Sequence, residues 1–489
     1  MNVFYIYSHN MSQVESPTVE FPGSPNTPPP KYMPKTPSIS PPKSKSPEKS
    51  VNPKRDFETM TNFYLANNPF LKKDGKESEL EIRFGTNKNL AKPLSKIEYD
   101  NVIKQFYSAG FQTNEPEGTH MLRVQNQFTN AEGREVISRI RAEIVGMDLI
   151  ENYCKTNSLP KLLDMPSNIS ARGDKIKFTR KEFPFIGKKE DGKPLRPVDF
   201  PDFNFRVSYQ YETDISPREG IARRILATWN DSKKTFRYIN RVRFSHPDYP
   251  VFLDVSIVKN SAKTNKYIPI PQYTVQDAKL FQSHEEYEIE LEVDNSRVGP
   301  GSAFETNADL LKGMRKAIRL VLSGIQESNY PISFSERDRM LMDYMHLVHG
   351  EEHMQNLLNE HGSLKKRIMP KDFVGPSSST LQLENIQEID ETKEPETNVP
   401  NIRTDYNVTD KADGERRLLY ISPNGRIYMI NTNMQVMFSG AFTRNKDHYN
   451  TLIDGEYIKY NKVGIQINMY AAFDLYYIHG KSVREYKFL

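Results

Sequence analysis

The sequence predicts an α+β protein. A mostly antiparallel β-barrel with a charged interior and flanking helices is preceded by a disordered tail and followed by a second domain. Three observations predict it. Two short runs far apart carry glutamate at every second position, and several runs between them alternate Arg or Lys with apolar residues. A third stretch, Ala303 to Ser328, has the period of an amphipathic helix. At 489 residues the chain has ample length for two domains.

Residues 1–55 hold twelve of the 33 prolines, in runs such as Thr27-Pro28-Pro29-Pro30 and Ser40-Pro41-Pro42-Lys43-Ser44-Lys45-Ser46-Pro47. Such a stretch buries too little apolar surface to order itself. Its basic excess equals the whole chain's formal +4, so the part from Asp56 onward is formally neutral. Overall basicity therefore gives no argument for nucleic-acid binding by the folded part, and the case rests on local faces. The opening Met1–Tyr7 is too short and polar-flanked for a signal peptide, and no run approaches the length of a membrane span. The lone Cys154 excludes an intramolecular disulfide and a cysteine-based zinc site. Both features fit a reducing, intracellular setting.

The first glutamate run is Glu77, Glu79, Glu81 and then Arg83, interleaved with Ser78, Leu80, Ile82 and Phe84. The second is Glu286, Glu288, Glu290 and Glu292, interleaved with Tyr287, Ile289, Leu291 and Val293. Side chains alternate faces along a strand, so each run has one apolar and one acidic face, with neighbours on a face roughly 6.5–7 Å apart. A row of carboxylates repels itself, which calls for a metal ion or basic side chains opposite. The intervening runs supply basic faces: Arg139 and Arg141, Lys175 and Lys177, Arg206, and Arg237, Arg241 and Arg243. Asp254 and Ser256 point away from Leu253, Val255 and Ile257. An ordinary barrel of this size fills its interior with apolar side chains. Here a closed barrel with an acidic wall and a basic wall fits better. Acid-bound divalent metal facing converging Arg and Lys is equipment for gripping a polyphosphate and hydrolysing its terminal phosphate.

Glu-Leu-Glu-Ile-Arg-Phe at 79–84 and Tyr-Glu-Ile-Glu-Leu-Glu at 287–292 resemble the two glutamate strands of the triphosphate tunnel metalloenzymes. The nearest likeness is to the RNA 5′-triphosphatase module of large DNA-virus mRNA capping enzymes of poxvirus, asfarvirus and mimivirus type. The resemblance implies an eight-stranded antiparallel tunnel that hydrolyses the γ-phosphate of triphosphate-ended RNA with Mg²⁺ or Mn²⁺. It makes Glu79 and Glu81 metal ligands, with Glu288, Glu290 and Glu292 completing the set and orienting the attacking water. It assigns phosphate binding to Arg83, Arg139, Arg141, Lys177, Arg241 and Arg243. It also points to a large cytoplasmic DNA virus, and so to the host cytoplasm or the virion.

The helical stretch places Leu310, Met314, Ala317 and Val321 on one stripe beside Leu311, Ile318, Leu322 and Ile325, suited to packing against the outside of the barrel. His349-Gly350-Glu351-Glu352-His353 matches the H-x-x-E-H pattern of one metalloprotease group. Gly350 weakens a helix there and no third ligand is apparent, so a connector helix is the better reading. Residues 376–400 read as a flexible acidic loop.

Near the end, Lys411-Ala412-Asp413-Gly414-Glu415-Arg416 has the pattern Lys-x-Asp-Gly-x-Arg. Asp454-Gly455-Glu456 and Phe473-Asp474 follow it, both bounded by apolar strand-like runs. A lysine depressed in pKa can attack the α-phosphate of a nucleotide. The three segments resemble motifs I, III and IIIa of the covalent nucleotidyl transferases, the superfamily of mRNA guanylyltransferases and polynucleotide ligases. The resemblance makes Lys411 the nucleophile that takes GMP from GTP. It puts Arg416 on the ribose, Glu456 on the ribose or metal, and Phe473 against the guanine. An upstream triphosphatase favours capping over ligation. Later motifs of that superfamily and its lid are not found, which raises the expectation of a fragment, a split product, or a half completed by a separate chain. A cap methyltransferase is a further expected partner.

The expected organisation is a tail at 1–55 and a tunnel triphosphatase at 56–345. A connector helix and acidic loop at 346–400 overlap the start of a truncated nucleotidyl-transfer domain at 401–489. The expected function is mRNA capping, as hydrolase and nucleotidyltransferase, on 5′-triphosphate RNA and GTP and without a membrane. The alternative is a tunnel-type NTP or polyphosphate phosphatase whose C-terminal segment only docks a partner.

Overall fold

The computed structural model describes residues 52–71, 75–85, 93–164, 175–186, 193–264, 268–357, 368–376, 380–389, 392, 401–403 and 412–486. Most of the expected tail, residues 1–51, lies outside them. The described chain begins at Asn52, whose side chain accepts the Arg55 N–H at 3.3 Å and caps helix α1, Pro53–Ala66. Proline at the first helical position has no N–H to lose and a preset φ, so the helix starts inside the stretch expected to be tail. The chain divides into two units between Glu327 and Ser328.

The first unit is a closed barrel. Its strands are β1 (Lys76–Phe84), β2 (Thr119–Thr129), β3 (Ile140–Val145), β4 (Ile176–Glu182), β5 (Phe205–Ile215), β6 (Lys234–Phe244), β7 (Val251–Asn260) and β8 (Glu286–Val293). Their spatial order is β1-β8-β7-β6-β2-β3-β4-β5. β5 returns to β1 over nine residue pairs from Lys76↔Thr213 to Phe84↔Phe205, closing eight antiparallel strands without a free edge. Short strands Glu135–Ile137 and Val198–Phe200 extend it beside β2 and β5.

The barrel is inside out relative to an ordinary one. Leu80, Ile82 and Phe84 of β1, Val207 and Tyr209 of β5, Leu253 and Val255 of β7, and Ile289 and Leu291 of β8 point outward. They are buried under α1, α2 (Lys96–Ser108) and α4 (Asn307–Gln326), which contribute Met60, Tyr64, Val102, Phe106, Met314, Ile318 and Val321. The amphipathic stripe expected at 303–328 is therefore α4, and it packs on the outer wall. Gly324 permits the closest approach there, since a Cβ on it would lie 2.6 Å from Val102 Cα. On the remaining wall, Leu122, Val124, Ile144 and Phe178 pack with Trp229 and with Leu149, Ile150 and Tyr153 of α3 (Met147–Thr156). With the apolar faces committed outward, strand alternation sends the charged faces into the lumen.

The second unit is a six-stranded antiparallel sheet. It comprises β9 (Glu415–Ile421), β10 (Arg426–Asn431), β11 (Val436–Phe442), β12 (Thr451–Tyr460), β13 (Gln466–Ile478) and β14 (Lys481–Ser482), in the order β11-β10-β9-β12-β13-β14. Met340, Tyr344 and Met345 of α5 (Phe334–Leu357) share a core with Leu418, Tyr420, Ile430 and Leu452. Gly350, at φ 76° and ψ 177°, breaks α5. The kink falls inside the His349–His353 stretch. Among the described residues no helix is long and apolar enough to cross a membrane.

Candidate functional site

Strand register decides which charges meet in the lumen. β1 and β8 pair Glu81 with Glu292 and Arg83 with Glu290. β7 and β8 pair Asp254 with Glu290, and β6 and β7 pair Arg243 with Asp254. Arg83 grips Glu290 at 2.7 Å, and Arg241 reaches the other oxygen of Glu290 at 3.2 Å. Arg243 forks onto Asp254 at 2.7 and 2.6 Å and also reaches Glu292 at 2.6 Å. Arg241 lies 3.1 Å from Asp254 as well. Glu288 pairs with Arg237.

On the opposite wall Lys181 Nζ lies 2.5 Å from both oxygens of Glu79, 3.5 Å from Glu212 and 3.8 Å from Glu81. Ser208 donates to Glu81 at 2.9 Å. Arg123 and Arg141 converge on Glu143 at 2.8 and 2.7 Å, and Arg141 also reaches Glu212 at 3.1 Å. Lys177 pairs with Asp214 at 2.9 Å.

These contacts sort the carboxylates by protonation. Burial in the lumen opposes ionisation of Glu290, but Arg83, Arg241, Lys181 and Arg123 outweigh it and hold the group well below the usual range. Against the same cost, Arg123 and Arg141 hold Glu143 down to about 2. Glu79 goes the other way. Burial, opposed by Lys181 and reinforced by Glu81, Glu212 and Glu292, pushes it up to about 8. Glu292 is raised too, by burial against the pull of Arg243. Arg123 is lowered to about 10 by burial and by Arg141, despite Glu143, with Arg241 and Arg237 adding to it. The lumen thus has a carboxylate cluster short of positive charge and, in Arg123, one guanidinium short of negative charge.

The hard oxygen donors of Glu79, Glu81 and Glu292, two of which are raised in pKa, suit a hard divalent cation such as Mg²⁺ or Mn²⁺. Among the described residues no three His, Cys, Asp or Glu side chains already converge on one point, because these carboxylates turn toward Lys181 and Arg243.

In the second unit, Lys411 lies outside the described residues. Gly414 N–H donates to Glu456 at 2.8 Å. Arg416 sits opposite Glu456 in register but forks onto Asp454 of the neighbouring position, at 3.1 and 2.6 Å. It also donates to the Pro376 carbonyl at 2.6 Å. Asp454 is wholly buried and receives the Tyr476 hydroxyl at 2.6 Å. Gly455 has no room for a side chain, since a Cβ would meet the Ala471 carbonyl at 2.5 Å. The β12–β13 register shifts between Asp454↔Asp474 and Gly455↔Ala472, which puts Phe473 at a bulge with 39% of its surface exposed.

Residues 350–489 match the family described as mRNA capping enzyme, catalytic domain. A probable mRNA-capping enzyme of Acanthamoeba polyphaga mimivirus is 26% identical over 232 residues, 47% of this chain. The chain spans only 15% of that relative's length. Both findings bear out the resemblance to viral mRNA capping enzymes. Among solved structures, the mimivirus capping enzyme triphosphatase aligns over 55% of this chain and 95% of its own, at 15% identity and a TM-score of 0.31. The S. pombe Pct1 RNA triphosphatase aligns over 55% and 85%, at 14% identity and a TM-score of 0.25. At these TM-scores the likeness carries no weight, and the barrel rests on its own strand pairing.

Of the residues expected from the capping-enzyme resemblance, Glu79, Glu81, Glu288, Glu290, Glu292, Arg83, Arg141, Lys177, Arg241 and Arg243 take part in the charge pairs of the barrel. Arg139 does not. Ser138 accepts the Ile140 N–H at 3.0 Å in a turn, so Arg139 stays exposed in the bend ahead of β3. Sequence reasoning missed Lys181, Arg123, Glu143 and Glu212. Lys181 shares the parity of Lys175 and Lys177, and Arg123 lies between outward-facing Leu122 and Val124, so continued alternation would have found both.

Proposed function

We propose that the barrel is a metal-dependent RNA 5′-triphosphatase and that the second unit belongs to a guanylyltransferase, the two serving mRNA capping. The observation that carries the first half is the lumen itself. The Glu79–Glu81–Glu292 cluster faces Lys181, and the arginine wall of Arg123, Arg141, Arg237 and Arg241 adjoins it.

In the reaction a water oxygen bonds to the γ-phosphorus and the bond to the β-phosphate oxygen breaks. Inorganic phosphate and diphosphate-ended RNA leave, and the water's proton departs with the phosphate. Glu79, Glu81 and Glu292 would hold the divalent ion, which would supply positive charge against the transferring phosphoryl group. Lys181, Arg123 and Arg141 neutralise the charge that builds on the transferring group. Glu290 acts through others: fixed as an anion, it aims Arg83 and Arg241. In the second unit, Asp454 and Tyr476 aim Arg416 and leave Phe473 open to a base.

The test is release of phosphate from γ-labelled triphosphate-ended RNA with Mg²⁺ or Mn²⁺. Wild type should release it only with metal, and Glu79→Ala and Glu81→Ala should each lose roughly a hundredfold or more. Release that is metal-independent or unaffected by either substitution overturns the reading. Hydrolysis of NTP or tripolyphosphate without RNA hydrolysis leaves the polyphosphate phosphatase alternative. For the second unit, labelled GMP should join wild type and not Lys411→Ala.

A further inference from the structure

One end of the barrel holds a chamber that the hydrolysis of a terminal phosphate does not require. It has a volume of about 390 Å³ and is walled by Met121, Ile239, Arg241, Arg243 and Phe252 from the strands and by the 112–115 segment from the α2–β2 connection. Met121, Ile239, Arg241 and Arg243 share the lumen-facing parity of Arg123 and Arg237, so the chamber continues the tunnel. Resting on the triphosphatase reading, we propose that this chamber is a nucleoside subsite, taking the base and ribose of the 5′-terminal nucleotide while its phosphates run inward.

The position supports this first. Arg241 and Arg243 line the chamber and also reach Glu290 and Glu292. A phosphate chain lying along these two arginines therefore has the carboxylate cluster at one end and the chamber at the other. Its chemistry supports it next. Gln112, Thr113 and Asn114 bring hydrogen-bonding groups, while Met121, Ile239 and the Phe252 ring bring apolar surface. A polyphosphate has no use for that mixture, whereas a base needs both an apolar face and polar edges. The volume lies in the range of about 300–1,000 Å³ usual for small-ligand sites.

The wall is also built rather than draped. Gln112 and Ser245 exchange backbone hydrogen bonds at 3.0 and 2.9 Å, and Thr119 donates to Glu115 at 2.5 Å. Gly118, at φ +79°, lets the connection press against β6, where a Cβ would come within 2.2 Å of Asn240 Oδ1.

The experiment compares binding of a short 5′-triphosphate RNA with binding of tripolyphosphate, by calorimetry on the full chain. Wild type, Phe252→Ala and Thr113→Trp are measured, the last filling the chamber from its surface wall. Wild type should prefer the RNA, and each variant should reduce that preference about tenfold, the scale of one lost base contact. An unchanged preference in both variants, or none in wild type, overturns the subsite. Turnover is read separately on the same samples: a preference that depends on the chamber without metal-dependent hydrolysis would keep the subsite and overturn only the triphosphatase reading.

Discussion

Asp254 offers the sharpest test of how the lumen is held together, because it carries no expected metal or phosphate role. Only 1% exposed, it takes both arms of the Arg243 fork and a third contact from Arg241. Asp254→Asn keeps the shape and removes the charge. Breaking a buried ion pair from one side costs about 3–5 kcal/mol. Arg241 keeps Glu290 and Arg243 keeps Glu292, so the lower figure, about 3 kcal/mol, applies here. For a unit of roughly three hundred residues, about 2 °C per kcal/mol predicts a melting temperature lowered by ~6 °C. High phosphate should recover part of that loss, since an anion can bind the freed guanidiniums. The same change leaves both arginines misaimed, and kcat/KM for triphosphate-ended RNA should fall about a hundredfold. Scanning calorimetry with and without phosphate, alongside phosphate release, reads both effects. An unchanged melting temperature together with unchanged kcat/KM would refute the idea that Asp254 aims the pair.

Glu79 sets a pH dependence. Its folded pKa of about 8 lies above the ordinary value of 4.5, so between those limits the folded state holds a proton that the unfolded chain gives up. This group's contribution to stability therefore falls as pH rises from about 4.5 to about 8. Mn²⁺ must displace that proton, so its affinity without RNA should rise roughly tenfold per pH unit up to about pH 8 and then level. Titrations at three pH values check this, and a flat profile in wild type counts against it. Lys181→Met should tighten Mn²⁺ binding without RNA, because the metal no longer competes with an ammonium 2.5 Å from Glu79, while raising KM for triphosphate-ended RNA. Weaker metal binding in that variant would mean Lys181 merely holds the wall. In the second unit, Asp454→Asn should lower stability by about 2–3 kcal/mol, below the full buried-pair cost because Arg416 is a quarter exposed and keeps the Pro376 carbonyl. Denaturant unfolding of Asp454→Asn, Arg416→Met and the double variant would give additive losses if the pair were not coupled.

What the sequence made legible was parity, and what it hid was register. Glutamates at 79, 81, 290 and 292 could be assigned to one face because strand alternation is local, and the inward direction followed once the other face was apolar. Arg83 meeting Glu290 across 207 residues of sequence could not be read this way, because it depends on how far β1 is offset against β8. The same offset separates Glu288, tied to Arg237, from the Lys181 cluster, although all the glutamates look equivalent in a period-two pattern. Arg139 shows the opposite failure. Period-two alternation runs on into a bend where Ser138 accepts the Ile140 N–H, and Arg139, one residue ahead of the strand, is exposed there. The chamber at the mouth was invisible for a third reason. Its outer wall is an aperiodic connection whose place is fixed by two backbone hydrogen bonds to Ser245 and by the missing side chain of Gly118. A charged stripe thus announces that a lumen exists and what sign it carries, whereas the pairing of charges, and with it the division between anchors and ligands, arises only when eight offsets close on one another.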